Sequence, residues 1–119
     1  MQDTTRITQR AANTASGNPV CIFSFDGDIT STAKEVILSN YHALDGATNH
    51  LLLDFTSVEY INSSGIAIII QMLLEASKSG QRRVGIYGLS PHFNKVFTMV
   101  GINKYAAMHP NESAALGAI

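Results

Sequence analysis

The sequence predicts a single α/β domain with a mostly parallel central sheet of about four to five strands and about four helices. Apolar segments of strand length alternate with segments of helical length, which are long enough to connect parallel strands. Leu51, Leu52 and Leu53 form a continuous apolar run, typical of a central strand covered on both faces. The 119 residues, 45% apolar and 14% charged, suit one globular domain with one core.

The N-terminal part of the chain differs in composition from the rest. Residues 1–18 are polar and small, with a single large aliphatic side chain, Ile7, after the first residue. This segment can add an edge strand around Ile7, followed by a loop over residues 13–18. The domain itself is expected over residues 19–119. Its first strand is predicted over residues 20–25, where β-branched and aromatic residues precede an Asp-Gly-Asp turn.

A first helix is predicted over residues 33–44. Thr30, Ser31 or Thr32 can cap its N-terminus, and Glu35 stands three residues after Thr32, as a capping box requires. The apolar residues that recur on one face of this helix are Val36, Ile37, Tyr41 and Leu44.

The second helix begins at a pair of serines that follows the central strand. Asn62 or Ser63 can cap this helix, which therefore starts at Ser63 or Ser64 and ends near Gly80. The first amides of a helix and its dipole favour negative charge. We therefore expect a phosphate on either serine to leave the fold intact and to change only the surface.

The first turns of this second helix are apolar nearly all round. One stripe at helical spacing comprises Ile66, Ile69, Ile70 and Leu73, and we expect it to face the core. That choice leaves Ile68, Met72 and Ala67 off the core face. They either pack under another element or form a docking surface for a partner.

The remaining elements are a strand over residues 83–89, a third helix, a short strand over residues 106–109 and a weak fourth helix. Ser90 and Pro91 begin the third helix, and Gly101 ends it. The apolar face of that helix comprises Phe93, Val96, Phe97 and Val100. Asn111 or Ser113 can cap the fourth helix, which is predicted to run through residue 116.

Charge and composition exclude several classes of function. The net charge of −1 offers no general attraction to nucleic acid or to anionic lipid. No apolar run is long enough to cross a membrane, and we expect neither a membrane span nor a signal peptide. The lone cysteine, Cys21, cannot form an internal disulfide and suits a reducing cytoplasm. We therefore expect a cytoplasmic protein.

No catalytic or cofactor motif is evident. The turn at Ser63 lacks the Gly-x-Ser-x-Gly pattern of a nucleophile elbow, and the four histidines have no metal-ligand spacing. Isolated glycines exclude a phosphate-binding loop or a dinucleotide fingerprint. Asp54 and Glu59 are better explained as solvated residues at a strand end than as paired catalytic carboxylates. The chain is expected to be a binding module, not an enzyme, with no cofactor and no metal.

Four segments together resemble a known family: VCIFSFDGDIT, LLLDFTSVEYINSSGI, RVGIYGLSP and FNKVFTMVGINKY. They are similar to the STAS domain of bacterial anti-sigma factor antagonists, and the resemblance covers residues 19–107. It implies that residues 19–119 form a single STAS domain. The most specific parts are the Ser-Ser-Gly turn and the segment that begins at Leu89.

The resemblance implies a partner-switching mechanism. An unphosphorylated antagonist of this family binds an anti-sigma factor that is also a serine kinase of the GHKL type, and so releases the kinase's target. The kinase phosphorylates the antagonist, which abolishes binding, and a PP2C-type phosphatase resets it. The phosphorylated residue would be Ser63. The residues that the resemblance assigns to partner binding are Asp28, Ile29, Thr30, Asn62, Ser64, Gly65, Ile66, Ile68 and Met72.

Two positions depart from the family pattern. Asn62 stands where the family commonly has Asp, and Thr30 replaces the last acidic residue of a Gly-Glu-Leu-Asp loop. Both changes remove negative charge near Ser63. The alternative is a STAS scaffold or regulatory subunit, of a stressosome-like assembly or a phospholipid-transport complex, in which Ser63 need not be modified. A hydrolase that uses Ser63 as a nucleophile has little support.

Overall fold

The computed structural model describes residues 5–80 and 82–119, so residues 1–4 of the predicted polar segment lie outside the described residues. Short 3-10 turns over Ser31–Ala33 and Ile102–Lys104 precede α1 and β5. The strands and helices follow in the order β1 (Arg6–Asn13), β2 (Pro19–Asp26), α1 (Lys34–His42), β3 (His50–Ser57), α2 (Ser63–Ser79), β4 (Arg83–Tyr87), α3 (Pro91–Met99), β5 (Ala107–His109) and α4 (Glu112–Gly117).

The five strands form one sheet in the order β1-β2-β3-β4-β5. Strand β1 runs antiparallel to β2, from Arg6 opposite Asp26 to Asn13 opposite Pro19, and the other neighbours are parallel. The predicted α/β class, with its mostly parallel sheet, is confirmed. The predicted division of the chain at residue 18 stays a prediction.

The sheet has an apolar core on each face. Leu51 and Leu53 belong to the larger core, which α1, α2 and α3 cover, whereas Leu52 belongs to a smaller core under α4. All three leucines are buried because successive side chains of a strand point to opposite faces. Their continuous apolar run therefore reflects burial on both sides, as expected of a central strand. In the described part of the chain, no helix combines the length and the apolar content needed to cross a bilayer.

The start of α1 differs from the prediction. A 3-10 turn precedes this helix. Thr30 is the N-cap of that turn and Ala33 is the N-cap of α1, and neither makes a side-chain cap hydrogen bond. The Thr30 hydroxyl instead lies 3.0 Å from the Thr32 hydroxyl. The predicted capping box is therefore wrong. Because the 3-10 turn occupies Ser31–Ala33, Thr32 is not the N-cap of α1, and Glu35 is not three residues after the cap.

The core face of α2 was predicted correctly only for Ile69 and Leu73, which are buried. Ile68 and Met72, expected off the core, are 6% and 0% exposed, whereas Ile66 and Ile70 lie half-buried at its flank. The buried residues of the helix are Gly65, Ile68, Ile69, Met72, Leu73 and Ala76. Gly65 explains the rotation, because its missing side chain lets this side of the helix approach the backbone of Ile29.

Candidate functional site

Ser63 is the first residue of α2 and is exposed. Asn62 is the N-cap, and its side-chain oxygen accepts a hydrogen bond from the Gly65 amide at 2.9 Å. The Asn62 carbonyl also accepts from the Ile66 amide at 3.0 Å. Ser64, the second helical residue, is exposed as well. A short polar cap thus holds both serines on the surface, where the helix dipole favours negative charge.

A backbone bridge brings the loop after β2 next to this helix start. The Ile29 amide donates to the Tyr60 carbonyl at 3.0 Å, and the Asn62 amide donates to the Ile29 carbonyl at 3.1 Å. Ile29 and Ile61 therefore form an isolated parallel bridge at the strand ends. The bridge places Asp28 and Thr30 on the same edge of the sheet as Ser63. Two sequence segments predicted to act together are thus neighbours in space.

Gly65 fixes how closely this loop and α2 approach each other. A Cβ atom at Gly65 would lie 2.2 Å from the Ile29 carbonyl oxygen and 2.8 Å from its carbonyl carbon. Because both atoms belong to the backbone, no side-chain rotation could relieve the overlap. The loop over residues 28–30 and the first turn of α2 are therefore packed as one unit.

Burial divides the predicted partner-binding residues into two groups. Ser64 is exposed, and Asp28, Thr30, Asn62 and Ile66 are half-buried, so a partner can reach all five. The others are buried in the core: Ile29, Gly65, Ile68 and Met72. Of the two alternatives left open for Ile68 and Met72, burial holds and a docking surface does not, because both side chains lie in the core between α2 and the sheet.

The apolar surface of α2 is formed by residues other than Ile68 and Met72, and it includes Ala67, which was expected off the core face. Ala67 and Leu74 are exposed, and Ile70 is half-buried between them. The spacing of four, three and four residues from Ser63 places them on one line along α2. Tyr60, 50% exposed, lies in the turn before the helix. We refer to this candidate partner surface as the α2 docking face; it comprises Ser63, Ser64, Ile66, Ala67, Ile70 and Leu74.

The sequence contained a signal for this face that could have been used. Two interleaved stripes of α2 fit the same helical spacing, and only one of them contains Gly65. A glycine inside a helix often marks close backbone contact, so the stripe containing it is the better candidate for the core.

Asp54 has a structural role on the opposite face of the sheet. Its carboxylate accepts hydrogen bonds from the Ser24 hydroxyl at 3.0 Å, the Thr56 amide at 2.9 Å and the Thr56 hydroxyl at 2.6 Å. Burial opposes its ionisation, but the hydrogen bonds from Thr56 and Ser24 outweigh burial and lower the pKa of Asp54. Asp54 thus organises the end of β3, where it is half-buried and hydrogen-bonded, although a solvated side chain was expected.

A second polar cluster joins three elements on that face. The Tyr87 hydroxyl donates to Glu112 Oε1 at 2.8 Å, and Arg10 donates to Tyr87 Oη at 3.2 Å and also to Glu112. The hydrogen bond from Arg10, then that from Tyr87, lowers the pKa of Glu112. Burial, followed by the hydrogen bond to Glu112, raises the pKa of Tyr87. This cluster ties β1, β4 and α4 together and was missed because its members are distant in sequence.

The described residues offer no evident catalytic arrangement around Ser63. Within residues 5–80 and 82–119, no group of three or more His, Cys, Asp or Glu residues is placed to hold a metal ion. His42 lies 2.7 Å from Glu75, but this pair is on the surface between α1 and α2. Cys21 is half-buried, and burial raises the pKa of its thiol, which disfavours the reactive thiolate.

The fold and the site define a small α/β domain whose second helix begins at an exposed serine pair beside an apolar face. The sequence matches the STAS domain family over residues 11–115, and the chain belongs to that family.

Solved structures with a similar fold include several anti-sigma factor antagonists. One from Mycobacterium paratuberculosis is 20% identical with a TM-score of 0.74, and 96% of this chain and 94% of that chain are covered. A STAS domain protein from Planctomyces limnophilus is 22% identical with a TM-score of 0.71, covering 92% and 95% of the two chains. The Bacillus cell fate determinant SpoIIAA in its phosphorylated form is 18% identical with a TM-score of 0.66, covering 92% and 96%. At these identities the likeness establishes the shared fold.

Proposed function

We propose that this STAS protein is a cytoplasmic anti-sigma factor antagonist that works by partner switching. In this proposal the unphosphorylated chain binds an anti-sigma factor that is also a GHKL-type serine kinase, and the kinase's target is released. Phosphorylation on Ser63 abolishes binding, and a PP2C-type phosphatase restores it. The chain is then a substrate and competitor without enzymatic activity of its own, and ATP and magnesium belong to the kinase.

The observation that carries this proposal is the position of Ser63 at one end of the α2 docking face. Ser63 is exposed, so a kinase can reach it without unfolding the helix. Ala67 and Leu74, on the same line of the helix, supply exposed apolar surface of the kind that marks docking sites. A partner seated on this face would cover the serine. The similarity of fold to a protein solved in its phosphorylated form gives further support.

A phosphate on Ser63 would weaken docking without unfolding the domain. It adds about −1.5 to −2 charges at pH 7. The helix start tolerates this charge because the dipole and the first amides favour it. In a complex, however, the phosphate would lie against apolar surface and would have to lose its hydration, which is costly. The fold would therefore survive while the complex dissociates.

The test is phosphorylation by candidate GHKL-type kinases from the same organism in the presence of ATP and magnesium. Intact-mass measurement and peptide mapping should show one phosphate, which is lost in Ser63→Ala. Ser64→Ala is the matched control, because Ser64 is the adjacent exposed serine and should leave the phosphate in place. A kinase that binds the chain but never phosphorylates it, or a phosphate that maps elsewhere, would overturn the proposal.

A second candidate is a STAS scaffold or regulatory subunit that is not switched by phosphorylation. The neutral side chains of Asn62 and Thr30 beside Ser63 favour it, since the family resemblance implies acidic residues at both positions. Native mass spectrometry of the chain purified with its partners separates the two candidates. A large assembly with unmodified Ser63 would support the scaffold, whereas a small complex with a kinase would support the switch.

A further inference from the structure

The N-terminal strand reaches the candidate site through one buried hydroxyl. Thr5, the residue before β1, is 7% exposed, and its hydroxyl donates a hydrogen bond to the Asp28 carbonyl at 2.7 Å. A buried hydroxyl is rarely left without a partner, so the contact fixes Thr5 and Asp28 relative to each other. This contact joins residues 23 positions apart in the sequence.

The peptide that Thr5 holds leads directly into the bridge beside Ser63. The Asp28 carbonyl and the Ile29 amide belong to the same planar peptide unit, so a hydrogen bond to one constrains the orientation of the other. That amide donates to Tyr60, and the next carbonyl accepts from Asn62, the cap of α2. Gly27, just before this peptide, has a φ of +89°, a conformation that glycine adopts readily.

We propose that Thr5 is a positioning residue of the docking site, which holds the loop over residues 28–30 against the first turn of α2. The expected effect of Thr5 on kinase docking rests on the proposed function, in which the loop contributes to the docking site. The structural part of the inference stands on the contacts alone. The hydroxyl acts through Asp28 and Ile29 and does not itself touch the partner.

Amide hydrogen exchange of the full chain, read residue by residue, tests the structural part. Thr5→Val keeps the shape of the side chain and removes its donor, so exchange at the Ile29 and Asn62 amides should accelerate about tenfold. Thr5→Ser keeps the hydroxyl and should retain most of the protection. Unchanged exchange at both amides in Thr5→Val would overturn the inference.

Thr14→Val provides the matched control. Thr14 is also 7% exposed and lies at the other end of β1, where its hydroxyl accepts from the Asn18 amide at 3.0 Å. This variant loses a similar buried hydrogen bond but should leave the Ile29 and Asn62 amides protected. If Thr14→Val accelerated exchange at the Ile29 and Asn62 amides as much as Thr5→Val does, general destabilisation would explain the effect and the positioning role would be wrong.

Kinase kinetics test the consequence. With a GHKL-type kinase that phosphorylates the wild type, Thr5→Val should raise KM about tenfold with little change in kcat, and Thr5→Ser should restore KM. An unchanged KM would remove the link from Thr5 to docking. If no kinase modified the wild type, the proposed function would fail, while hydrogen exchange would still decide the positioning role of Thr5.

Discussion

Gly65→Ala is the sharpest test of how the candidate site is built. The added methyl group would lie 2.2 Å from the Ile29 carbonyl oxygen, where only backbone atoms can move to make room. Two responses are available to the protein. Either the overlap stays and strains the packing, or α2 and the loop separate and the two bridge hydrogen bonds at Ile29 break.

Both responses should lower the free energy of unfolding by a similar amount. Retained overpacking typically costs about 1–3 kcal/mol, and the loss of two hydrogen bonds at about 0.5–1.5 kcal/mol each gives the same range. Alanine is favoured over glycine within a helix by about 0.5–1 kcal/mol, which offsets part of the loss. We therefore expect the free energy of unfolding to fall by about 1–2 kcal/mol and Tm by about 4–8 °C.

Urea unfolding and thermal melting of Gly65→Ala measure this loss, and Gly117→Ala is the matched control. Gly117 also lies in a helix, but a Cβ there would have nothing within 4 Å. That variant should be as stable as the wild type or gain up to about 1 kcal/mol. If Gly65→Ala were as stable as Gly117→Ala, the close packing of the loop against α2 would be refuted.

Three further predictions follow from the contacts. Asn62→Ala should reduce the free energy of urea unfolding by about 1 kcal/mol through loss of the helix cap, whereas Asn62→Asp, which keeps the cap, should not. Met72→Ala should lower the free energy of unfolding by about 2–5 kcal/mol in the same assay, because Met72 is fully buried. In contrast, Ala67→Asp changes an exposed residue, so it should leave stability nearly unchanged but weaken kinase binding, measured by calorimetry. The pKa of Glu112 is lower in the folded protein than its ordinary value of 4.5. Its carboxylate therefore stabilises the fold at pH values above 4.5, and this contribution is lost as the pH falls through the lowered pKa of the folded protein. Glu112→Gln should therefore cost up to about 1 kcal/mol at pH 7, for a carboxylate more than a third exposed, and the difference should disappear at low pH; a difference that is constant with pH would contradict this.

The fold was predictable because its signals are local. The capping residues Asn62, Ser90 and Asn111 each accept a hydrogen bond from an amide three residues ahead, so the pattern can be seen within one turn of sequence. Gly80 and Gly101 adopt the left-handed conformation at the ends of α2 and α3. Local residues therefore mark the ends of the helices, and the alternation of strands and helices along the chain then indicates a mostly parallel α/β sheet.

The details of the site were less predictable because they depend on contacts between distant segments. The rotation of α2 is set by the contact of Gly65 with Ile29, and helical spacing alone fits two stripes equally well. Thr5 reaches Asp28 beyond the end of the neighbouring strand, 23 positions away, and Arg10 reaches Glu112 over 102 positions. No local pattern marks such pairs. The sequence therefore indicated which elements form the candidate site, but only some of the side chains on its surface.

The most direct test of the central claim compares the affinity of a GHKL-type kinase for the unphosphorylated chain and for the chain phosphorylated on Ser63. Calorimetry should show tight binding of the unphosphorylated chain, with a loss of at least about a hundredfold, or 2.7 kcal/mol, after phosphorylation. Ser63→Asp should lose affinity as well, and all three forms should melt at similar temperatures. Equal affinity of the kinase for the phosphorylated and unphosphorylated chains would contradict partner switching.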